Sequence, residues 1–316
     1  MQRVDGAESI PAHLAGGIVA LGNFDGFHLG HQAVVGAAVA RARAEGRPAL
    51  VATFDPHPIR YFKPDAAPFR LTTLDQRERL FAAAGADAML VFRFDAELAA
   101  LSARAFVEER LLGRLRVGGV VTGEDFTFGR GRSGDIATLR EWGRVLGFST
   151  DAVAPVSLDG ETISSSRIRT ALVAGDPRTA ARLLTRPFTI EGRVQHGDKL
   201  GRTIGYPTAN LDMGQYLRPA YGIYAVRGHL ADGRVLNGAA NLGIRPSFDP
   251  PKELLEPYFF DFAEGLYGQA LSVELIEYLR PEAKFDTLDA LVAQMDADCA
   301  RARALLAHIP ASHNPA

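Results

Sequence analysis

The sequence predicts an α/β protein of two domains, a doubly wound parallel sheet followed by a small antiparallel β-barrel with a C-terminal helix. Up to about residue 175, short apolar runs alternate with segments whose apolar residues recur at helical spacing. Beyond it, β-prone segments follow one another between Gly and Pro residues. Strands that alternate with helices favour a parallel sheet covered on both faces, and successive short strands favour a barrel. We place the boundary between residues 1–185 and 186–316, where Arg186-Pro187 breaks a short helix.

In the first half, the apolar runs predict five strands, at residues 17–24, 49–54, 88–94, 117–122 and 150–154. Helical spacing predicts four helices between them, at residues 32–45, 74–84, 103–115 and 136–146. Ser102 and Asp135 occupy N-cap positions of two helices, and three helix ends are followed by Gly46, Gly85 and Gly147. In a doubly wound sheet, ligands bind beyond the carboxyl ends of the strands, so the site is expected there.

The second half opens with a short helix. Asp176 is its predicted N-cap, Pro177 is its first residue, and it ends near Leu184. Five β-prone segments follow, at residues 188–194, 221–228, 235–241, 257–262 and 271–279. The last helix has one apolar face, formed by Leu288, Leu291, Val292, Met295, Cys299 and Ala302. The spacing of the strands predicts a compact antiparallel barrel, which this helix accompanies.

The composition is that of an ordinary globular protein and excludes several classes of function. Of the 316 residues, 47% are hydrophobic and 23% are charged, and the formal net charge of -2 gives no general attraction to nucleic acid or anionic membranes. No apolar run is long enough to span a bilayer, and the first residues lack the apolar core of a secretory signal. A single cysteine, Cys299, excludes an intrachain disulfide and fits a cytoplasmic enzyme.

The first predicted strand leads, through Gly22-Asn23 and four further residues, to His28-Leu29-Gly30-His31 at the start of a helix. Backbone N–H groups at a helix N-terminus attract an anion, and glycine lets a phosphate approach the backbone closely. Two imidazoles three residues apart add hydrogen-bond donors that become cationic near neutral pH. This arrangement indicates a site for a nucleotide whose α-phosphate is attacked.

Three further segments follow strands at the same predicted edge of the sheet. They are residues 54–58, residues 123–129, which contain Asp125, and residues 163–169. In the last segment, serine hydroxyls at a helix start precede Arg167 and Arg169, which together form a second anion site. One anion site suits the α-phosphate of a nucleotide, and the other suits the leaving β- and γ-phosphates.

The N-terminal half resembles the nucleotidyltransferase domain of the bacterial bifunctional riboflavin kinase/FAD synthetase family, by its residues 22–31 and by Ile163-Ser164-Ser165-Ser166-Arg167-Ile168-Arg169. The resemblance implies a Rossmann-like domain in which the FMN phosphate attacks the α-phosphorus of ATP and pyrophosphate leaves. It implies that His28 and His31 stabilise charge on phosphate oxygens in the transition state, with Mg²⁺ on the ATP. The residues implied for ATP and phosphate binding are Gly22, Asn23, Phe24, Asp25, Gly30, Asp125, Ser164, Ser165, Arg167 and Arg169. The family usually has Thr at position 166, and Ser166 retains the hydroxyl.

The C-terminal half carries a second set of polar motifs. A Gly-rich loop contains Gly197, Lys199, Gly201 and Arg202, which can bind phosphate through backbone N–H groups and charge. The loop does not match the Walker A pattern. In Pro207-Thr208-Ala209-Asn210, a hydroxyl and an amide lie two residues apart and so share one face of an extended chain, where they suit Mg²⁺.

This half resembles the riboflavin kinase domain of the same family, with further matches at residues 221–224, 241–248, 255–262 and 279–286. The resemblance implies that Gly197, Lys199, Gly201 and Arg202 bind phosphate and that Thr208 and Asn210 hold Mg²⁺ with ATP. It also implies that Glu256 is the general base that takes the proton from the ribityl 5′-hydroxyl while the γ-phosphate is transferred.

This half departs from the family pattern in two places. Ser247 stands where Thr is common, and Pro257-Tyr258 stand where a Val-His-type pair is usual. Proline restricts the backbone beside the proposed base and removes an N–H group. The alignment around Glu256 depends on its neighbours, and Glu253 is the competing candidate for the base.

The resemblance covers residues 16–306 and implies an enzyme that converts riboflavin to FMN and FMN to FAD. Its partners are then small molecules only: riboflavin, FMN, FAD, ATP, ADP and pyrophosphate. One alternative is an enzyme in which one site has lost activity, and Pro257 makes the kinase the site at risk. Another is a flavin-binding or regulatory protein without turnover, which would not need acid–base and metal-binding groups. A third is a nucleotidyltransferase for another acceptor, which would have no use for the second domain.

Overall fold

The computed structural model describes residues 1–196, 205–245 and 252–310. Contacts divide the chain into two compact units. The first comprises Met1–Ala67 and Thr72–Ser164, and the second comprises Pro68–Leu71 and the described residues from Ser165 onward. The second unit thus includes a segment that precedes the predicted boundary near residue 185, and this boundary stays a prediction. Within the described ranges, no helix is both long and apolar enough to cross a bilayer.

The first unit is built on a six-stranded sheet whose neighbouring strands are all parallel. The strands are β1 (Gln2–Asp5), β2 (Ile18–Leu21), β3 (Ala49–Asp55), β4 (Ala88–Arg93), β5 (Gly119–Gly123) and β6 (Ser149–Val153), in the spatial order β1-β4-β3-β2-β5-β6. The α-helices are α1 (Leu29–Glu45), α2 (Pro58–Phe62), α3 (Leu74–Ala83), α4 (Ala96–Ala100), α5 (Ala103–Ala105, continued by a π-helix over Phe106–Arg114) and α6 (Ile136–Leu146). A short hairpin of β7 (Ser157–Leu158) and β8 (Glu161–Thr162) follows.

The central strand β2 shows why helices cover both faces of this sheet. Each of its four residues is at most 1% exposed. Ile18 and Ala20 belong to an apolar cluster with α1 and α3, whereas Val19 and Leu21 belong to a second cluster with the π-helical segment. Because successive side chains of a strand point to opposite faces, both faces must be covered. The predicted doubly wound parallel sheet is confirmed.

The strand order places a crevice at the carboxyl ends of β2 and β5. From β2 the chain runs through β3 to β4 on one side, and it later returns to β5 on the other side of β2. Ligands of doubly wound sheets bind where the strand order reverses in this way. The turn that carries Asn23 and His28 follows β2, and the turn that carries Asp125 follows β5, so both lie at this crevice.

The predicted elements of the first half are found with small shifts at their ends. Ser102 and Asp135 accept backbone hydrogen bonds as the predicted N-caps, and Gly46 ends α1 in the left-handed conformation. Sequence analysis missed β1, an edge strand in which Val4 is the buried residue, and the five-residue helices α2 and α4. Elements of this length have too few residues to show a periodic pattern.

The second unit opens with α7 (Ser165–Val173) and α8 (Pro177–Leu184) and contains a six-stranded antiparallel sheet. The strands are β9 (Phe188–Arg193), β10 (Leu211–Asp212), β11 (Gly222–Leu230), β12 (Val235–Arg245), β13 (Lys252–Phe259) and β14 (Ala270–Arg280), in the order β10-β13-β12-β11-β14-β9. An isolated antiparallel bridge between Gln195 and Asn210 joins the two edges. The sheet is therefore nearly closed, which confirms the predicted barrel.

The C-terminal helix α9 (Leu288–Ala307) packs on the barrel with part of the predicted apolar face, which includes Cys299 and Ala302. Ala302 and Leu306 are buried, but Leu288 is 58% exposed. Asp298 is also buried, and Arg280 of β14 donates hydrogen bonds to both of its carboxylate oxygens. An ion pair across two elements thus replaces part of the apolar contact that the helical spacing predicts.

Candidate active sites

The turn between β2 and α1 brings the two predicted histidines together. The helix begins at Leu29, three residues earlier than predicted, so both side chains belong to its first turn. The Nδ1 atom of His28 accepts a hydrogen bond of 3.3 Å from the backbone N–H of His31, which makes His28 the N-cap. Because Nδ1 accepts, the neutral ring carries its proton on Nε2, where it can be donated to a ligand.

The two imidazoles are held in one stack. Their centroids lie 3.6 Å apart with 20° between the ring planes, and Phe24 contacts His31 edge-on at 5.3 Å. His28 is 5% exposed and Phe24 is 2% exposed. Gly30 leaves room for this arrangement, since a Cβ atom there would lie 3.2 Å from the ring of His28. A similar atom on Gly22 would lie 3.0 Å from the ring of Phe24.

Asn23 and Asp25 have different surroundings in this turn. The side-chain oxygen of Asn23 is buried without a hydrogen-bond partner among the described residues, so it can accept a hydrogen bond from a ligand. Asp25 is 4% exposed, and its carboxylate accepts hydrogen bonds from the backbone N–H and the hydroxyl of Thr72, at 3.0 and 3.2 Å. These contacts support an anchoring role for Asp25, and its predicted contact with nucleotide stays a prediction.

The remaining predicted residues of the first site lie on two segments. Asp125 is exposed on the turn after β5, beside the crevice. A Cβ atom on Gly30 would lie 3.8 Å from the carbonyl oxygen of Ile163. Ile163, the residue directly before Ser164, therefore lies beside the first turn of α1. Within the second unit, α7 carries Ser165, Arg167 and Arg169. The Nε atom of Arg169 donates a hydrogen bond of 2.9 Å to the carbonyl of Phe69.

In the second unit, the predicted metal-binding residues lie on the segment before β10. Thr208 lines a cavity of about 600 Å³, together with Tyr258 and the loop of residues 261–267. Asn210 is 7% exposed and forms the bridge to Gln195. The predicted phosphate-binding residues Gly197, Lys199, Gly201 and Arg202, and also Ser247, lie outside the described residues.

The strand β13 places Glu256 opposite Asn241 of β12. Side chains two residues apart on a strand share a face, so Glu256 lies on the same face as Tyr258, which lines the cavity. The side-chain N–H of Asn241 donates a hydrogen bond of 3.2 Å to Glu282. Asn241, Glu256 and the cavity-lining Tyr258 thus share one face of the sheet.

The structure shows how β13 accommodates Pro257, and it corrects the predicted strand of residues 257–262, which instead spans Lys252–Phe259. The carbonyl of Pro257 accepts a hydrogen bond of 2.9 Å from the backbone N–H of Ala209. In an antiparallel strand, the N–H and C=O of one residue point to the same side. The missing N–H of Pro257 would therefore face the Thr208–Asn210 segment, and the ladder between β12 and β13 loses no bond. The same hydrogen bond ties that segment to the residue that follows Glu256.

Sequence analysis missed two aromatic residues that anchor this segment. The hydroxyl of Tyr206 donates a hydrogen bond to Asp296 of α9, and its ring contacts that of Tyr258 edge-on at 5.0 Å. Burial and the neighbouring Asp296 carboxylate raise the pKa of Tyr206, so the hydroxyl keeps its proton. The place of Tyr206 directly before Pro207, in the predicted metal-binding motif, was the signal that could have drawn attention to it. Its partner Asp296 lies 90 residues away, so the hydrogen bond itself could not be predicted.

The structure shows which groups hold Glu253, the competing candidate for the base. Glu253 accepts hydrogen bonds from the hydroxyl of Tyr221 and, at 2.7 Å, from Nε of Arg218. Burial alone raises the pKa of Glu253, but these hydrogen bonds and the charge of Arg218 outweigh it and lower the pKa below its usual value. Burial and the same hydrogen bond raise the pKa of Tyr221 to about 12. A carboxylate held in this way is a poor general base, and the assignment of the base to Glu256 stays a prediction.

We expect Glu253→Gln to destabilise the protein at pH 7 by about 1–2 kcal/mol, because a hydrogen-bonded carboxylate is lost. The lowered pKa of Glu253 means that its contribution is present above the pKa of the unfolded chain and disappears as the pH falls through the folded pKa. The difference in denaturation midpoint between parent and variant should therefore shrink below about pH 4.5, the ordinary value for Glu. An equal difference at pH 7 and pH 3.5 would contradict this role.

A metal ion at these sites would be held mainly by the nucleotide. Among the residues that the structure describes, no group of three or more His, Cys, Asp or Glu side chains is placed to hold one. Mg²⁺ bound with a nucleotide needs few protein ligands, because phosphates and waters supply most of its oxygens. Thr208 at the cavity and the buried Asn210 offer such oxygens, and so fit a Mg²⁺ ion that arrives with ATP.

Comparison with known proteins agrees with two sites in one chain. A family model described as FAD synthetase matches residues 10–167, and one described as riboflavin kinase matches residues 184–306. The bifunctional riboflavin kinase/FMN adenylyltransferase of Haemophilus influenzae is 38% identical over 304 residues, which cover 96% of this chain and 99% of that protein. The protein of the same name from Escherichia coli K12 is 40% identical over 288 residues, which cover 91% and 92%.

One solved structure matches nearly the whole chain. It is described as a macrolide-efflux protein from Streptococcus pneumoniae, is 30% identical and superposes with a TM-score of 0.84. The match covers 94% of this chain and 97% of that one. At this similarity, the two chains share the architecture of both halves.

Proposed function

The chain belongs to the family of bifunctional riboflavin kinases/FMN adenylyltransferases, and on that premise we propose which of its residues carry out the two reactions. It phosphorylates riboflavin with ATP to give FMN, and it adenylylates FMN with a second ATP to give FAD and pyrophosphate. The observation that carries the function is that each half of the chain matches its own family model.

We place adenylyl transfer at the turn between β2 and α1. The FMN phosphate attacks the α-phosphorus of ATP, and negative charge grows on the phosphate oxygens in the transition state. The Nε2–H of His28 and the imidazole of His31 stabilise this charge, and the backbone N–H groups at the start of α1 add to the effect. The stacked geometry holds both rings ready before the substrate arrives, so little reorganisation is needed.

Further residues bind the nucleotide in this proposal. The unpartnered side-chain oxygen of Asn23 accepts a hydrogen bond from ATP, and Asp125 lies across the crevice, where it can orient nucleotide or metal. Ser164, Ser165, Arg167 and Arg169 bind the triphosphate, through hydroxyl groups and positive charge. Gly22, Phe24, Asp25 and Gly30 shape the turn itself.

We place phosphorylation of riboflavin at the cavity of the barrel. Its volume of about 600 Å³ suits a nucleotide, since sites for small molecules span roughly 300–1,000 Å³. Glu256 takes the proton from the ribityl 5′-hydroxyl, which then attacks the γ-phosphorus of ATP while ADP leaves. The hydrogen bond from Ala209 to Pro257 keeps the metal-binding segment and the base in a fixed relation.

ATP-using enzymes of this family generally need a divalent cation. We propose Mg²⁺, held by Thr208 and Asn210 with ATP in the kinase and by ATP in the adenylyltransferase. When bound, the ion neutralises charge on the transferred phosphates. We further propose that Gly197, Lys199, Gly201 and Arg202 bind phosphate in the kinase.

The partners in this proposal are riboflavin, FMN, FAD, ATP, ADP and pyrophosphate. A cytoplasmic location follows from the single Cys299 as an expectation.

The function predicts two products from one protein. Incubation of the purified chain with riboflavin, ATP and MgCl₂ should yield FMN first and FAD later, separated by chromatography and detected by flavin fluorescence. FMN supplied in place of riboflavin should give FAD and pyrophosphate directly. Omission of MgCl₂ with added EDTA should stop both reactions. If FMN accumulates and no FAD forms, or if riboflavin stays unchanged, the chain has lost one of the two activities.

A further inference from the structure

The buried arginine Arg77 is the feature that the two proposed reactions do not explain. It lies on α3 of the first unit, and its side chain is 3% exposed. A guanidinium group removed from water costs free energy unless acceptors satisfy it, and an apolar residue of similar volume is often at least as stabilising. Neither helix propensity nor core packing requires an arginine at this position.

The contacts of Arg77 lie at the carboxyl ends of two strands. Its Nη1 atom donates hydrogen bonds to the backbone carbonyl of Asn23, at 3.2 Å, and to the hydroxyl of Thr53, at 2.8 Å. Thr53 donates a second hydrogen bond, of 2.8 Å, to the same carbonyl of Asn23. The Nη2 atom lies 3.7 Å from the carboxylate of Asp55. The backbone carbonyl of Asn23, at the start of the proposed site, thus accepts hydrogen bonds from two side chains, those of Thr53 and Arg77.

The turn that follows Asn23 needs such support. Phe24 and Phe27 adopt left-handed conformations, with φ angles of +50° and +45°. Bulky residues rarely adopt this conformation, and they keep it where the surrounding structure determines it. A second clamp consists of Thr72, whose hydroxyl accepts a hydrogen bond of 2.9 Å from the N–H of Gly26 and which also binds Asp25. Thr72 and Arg77 thus form hydrogen bonds at two places in the turn from a single segment, residues 72–77.

Movement of the Asn23 carbonyl would be transmitted to the histidines. Phe24 follows Asn23 directly, packs against Phe81 of α3 at 5.8 Å and contacts the ring of His31 at 5.3 Å. We propose that Arg77 is a positioning residue for adenylyl transfer: its guanidinium holds the carbonyl of Asn23 and thereby the turn that presents Asn23, His28 and His31. The inference rests on the proposed assignment of adenylyl transfer to this turn.

The test is Arg77→Met, which fills a similar volume without hydrogen-bond donors. We expect kcat for FAD formation from FMN to fall about 10- to 100-fold, since displacement of reacting groups by about 1 Å costs as much, with smaller changes in KM. Kinase turnover, measured on the same sample with riboflavin, should stay within twofold of the parent. Arg77→Lys keeps the charge but not the paired donors, and should restore part of kcat.

The matched control is Arg110→Met. Arg110 is another buried arginine of the first unit, 5% exposed, but it lies on the π-helical segment against the opposite face of the sheet, where it donates to Glu97. Loss of this arginine should lower the unfolding temperature and leave kcat for FAD formation within twofold. Equal losses of kcat in Arg77→Met and Arg110→Met would overturn the proposal, because they would show an effect of stability alone.

Thr53→Val keeps the test valid if Arg77→Met does not fold. This near-isosteric change removes the second donor to the Asn23 carbonyl, and we expect kcat for FAD formation to fall about 3- to 10-fold, as for the loss of one hydrogen bond. An unchanged kcat in Thr53→Val would overturn the proposal. If His28→Ala also keeps full activity, the assignment of the turn itself is wrong; if only His28→Ala is inactive, the turn is correct and Arg77 does not position it.

Discussion

We expect His28→Ala to stop FAD formation while FMN still accumulates from riboflavin. In the proposed mechanism the variant removes an Nε2–H that stabilises the developing charge, and the loss of one such donor lowers kcat about 10²–10³-fold. The proposed kinase site lies on other elements, those of the barrel, so riboflavin turnover should be unchanged. Time courses of riboflavin, FMN and FAD, measured by chromatography, give both rates from one reaction. Loss of both activities would show that the sites do not act separately.

Two further variants separate chemistry from folding at this position. His28 is also the N-cap of α1, and replacement of a cap by Ala costs about 1 kcal/mol. His28→Asn keeps a side-chain acceptor for the cap but has no imidazole, and it should be as deficient in FAD formation as His28→Ala. His13→Ala, at an exposed histidine of the first unit, should leave both rates unchanged. An active His28→Asn would assign a capping role to His28 and contradict its role in charge stabilisation.

We expect Glu256→Gln to block FMN formation from riboflavin and to leave conversion of FMN to FAD unaffected. The amide has the shape of the carboxylate but cannot take a proton, and the loss of a positioned general base lowers kcat by about 10²–10⁴. Riboflavin, FMN and FAD are followed by chromatography under dim light. KM for ATP should change little, because the substitution leaves the cavity-lining residues in place.

The matched control for this prediction is Glu253→Gln, a change of the same kind on the same strand. Both oxygens of Glu253 are engaged by Tyr221 and Arg218, so this variant should lose stability but keep kinase turnover within about threefold at a temperature where it is folded. If Glu253→Gln is inactive and Glu256→Gln is active, the base has been assigned to the wrong residue. The adenylyltransferase rate of each sample verifies that the first unit is intact.

Much of the fold could be predicted because its signals are local. The caps at Ser102 and Asp135 and the apolar runs of β2 and β3 each depend on residues within one turn or one strand. The positions of His28 and His31 at a helix start were predicted in the same way, although the helix begins three residues earlier. The missed strand β1 and the exposed Leu288 show the limit, since the burial of both is decided by neighbours distant in sequence.

The motifs and their order along the chain indicated two ATP-dependent reactions through their resemblance to the bifunctional family, because each motif is a short run of residues that can be compared without knowledge of the fold. The tertiary structure decided which groups meet. It placed the loops of β2 and β5 at one crevice, turned the missing N–H of Pro257 away from β12, joined Tyr206 to Asp296 and brought Arg77 to the carbonyl of Asn23. The residues concerned are separated by 48 positions, for Ala209 and Pro257, to 102 positions, for Asn23 and Asp125 in the two loops, and periodicity within one element contains no information about contacts at that distance.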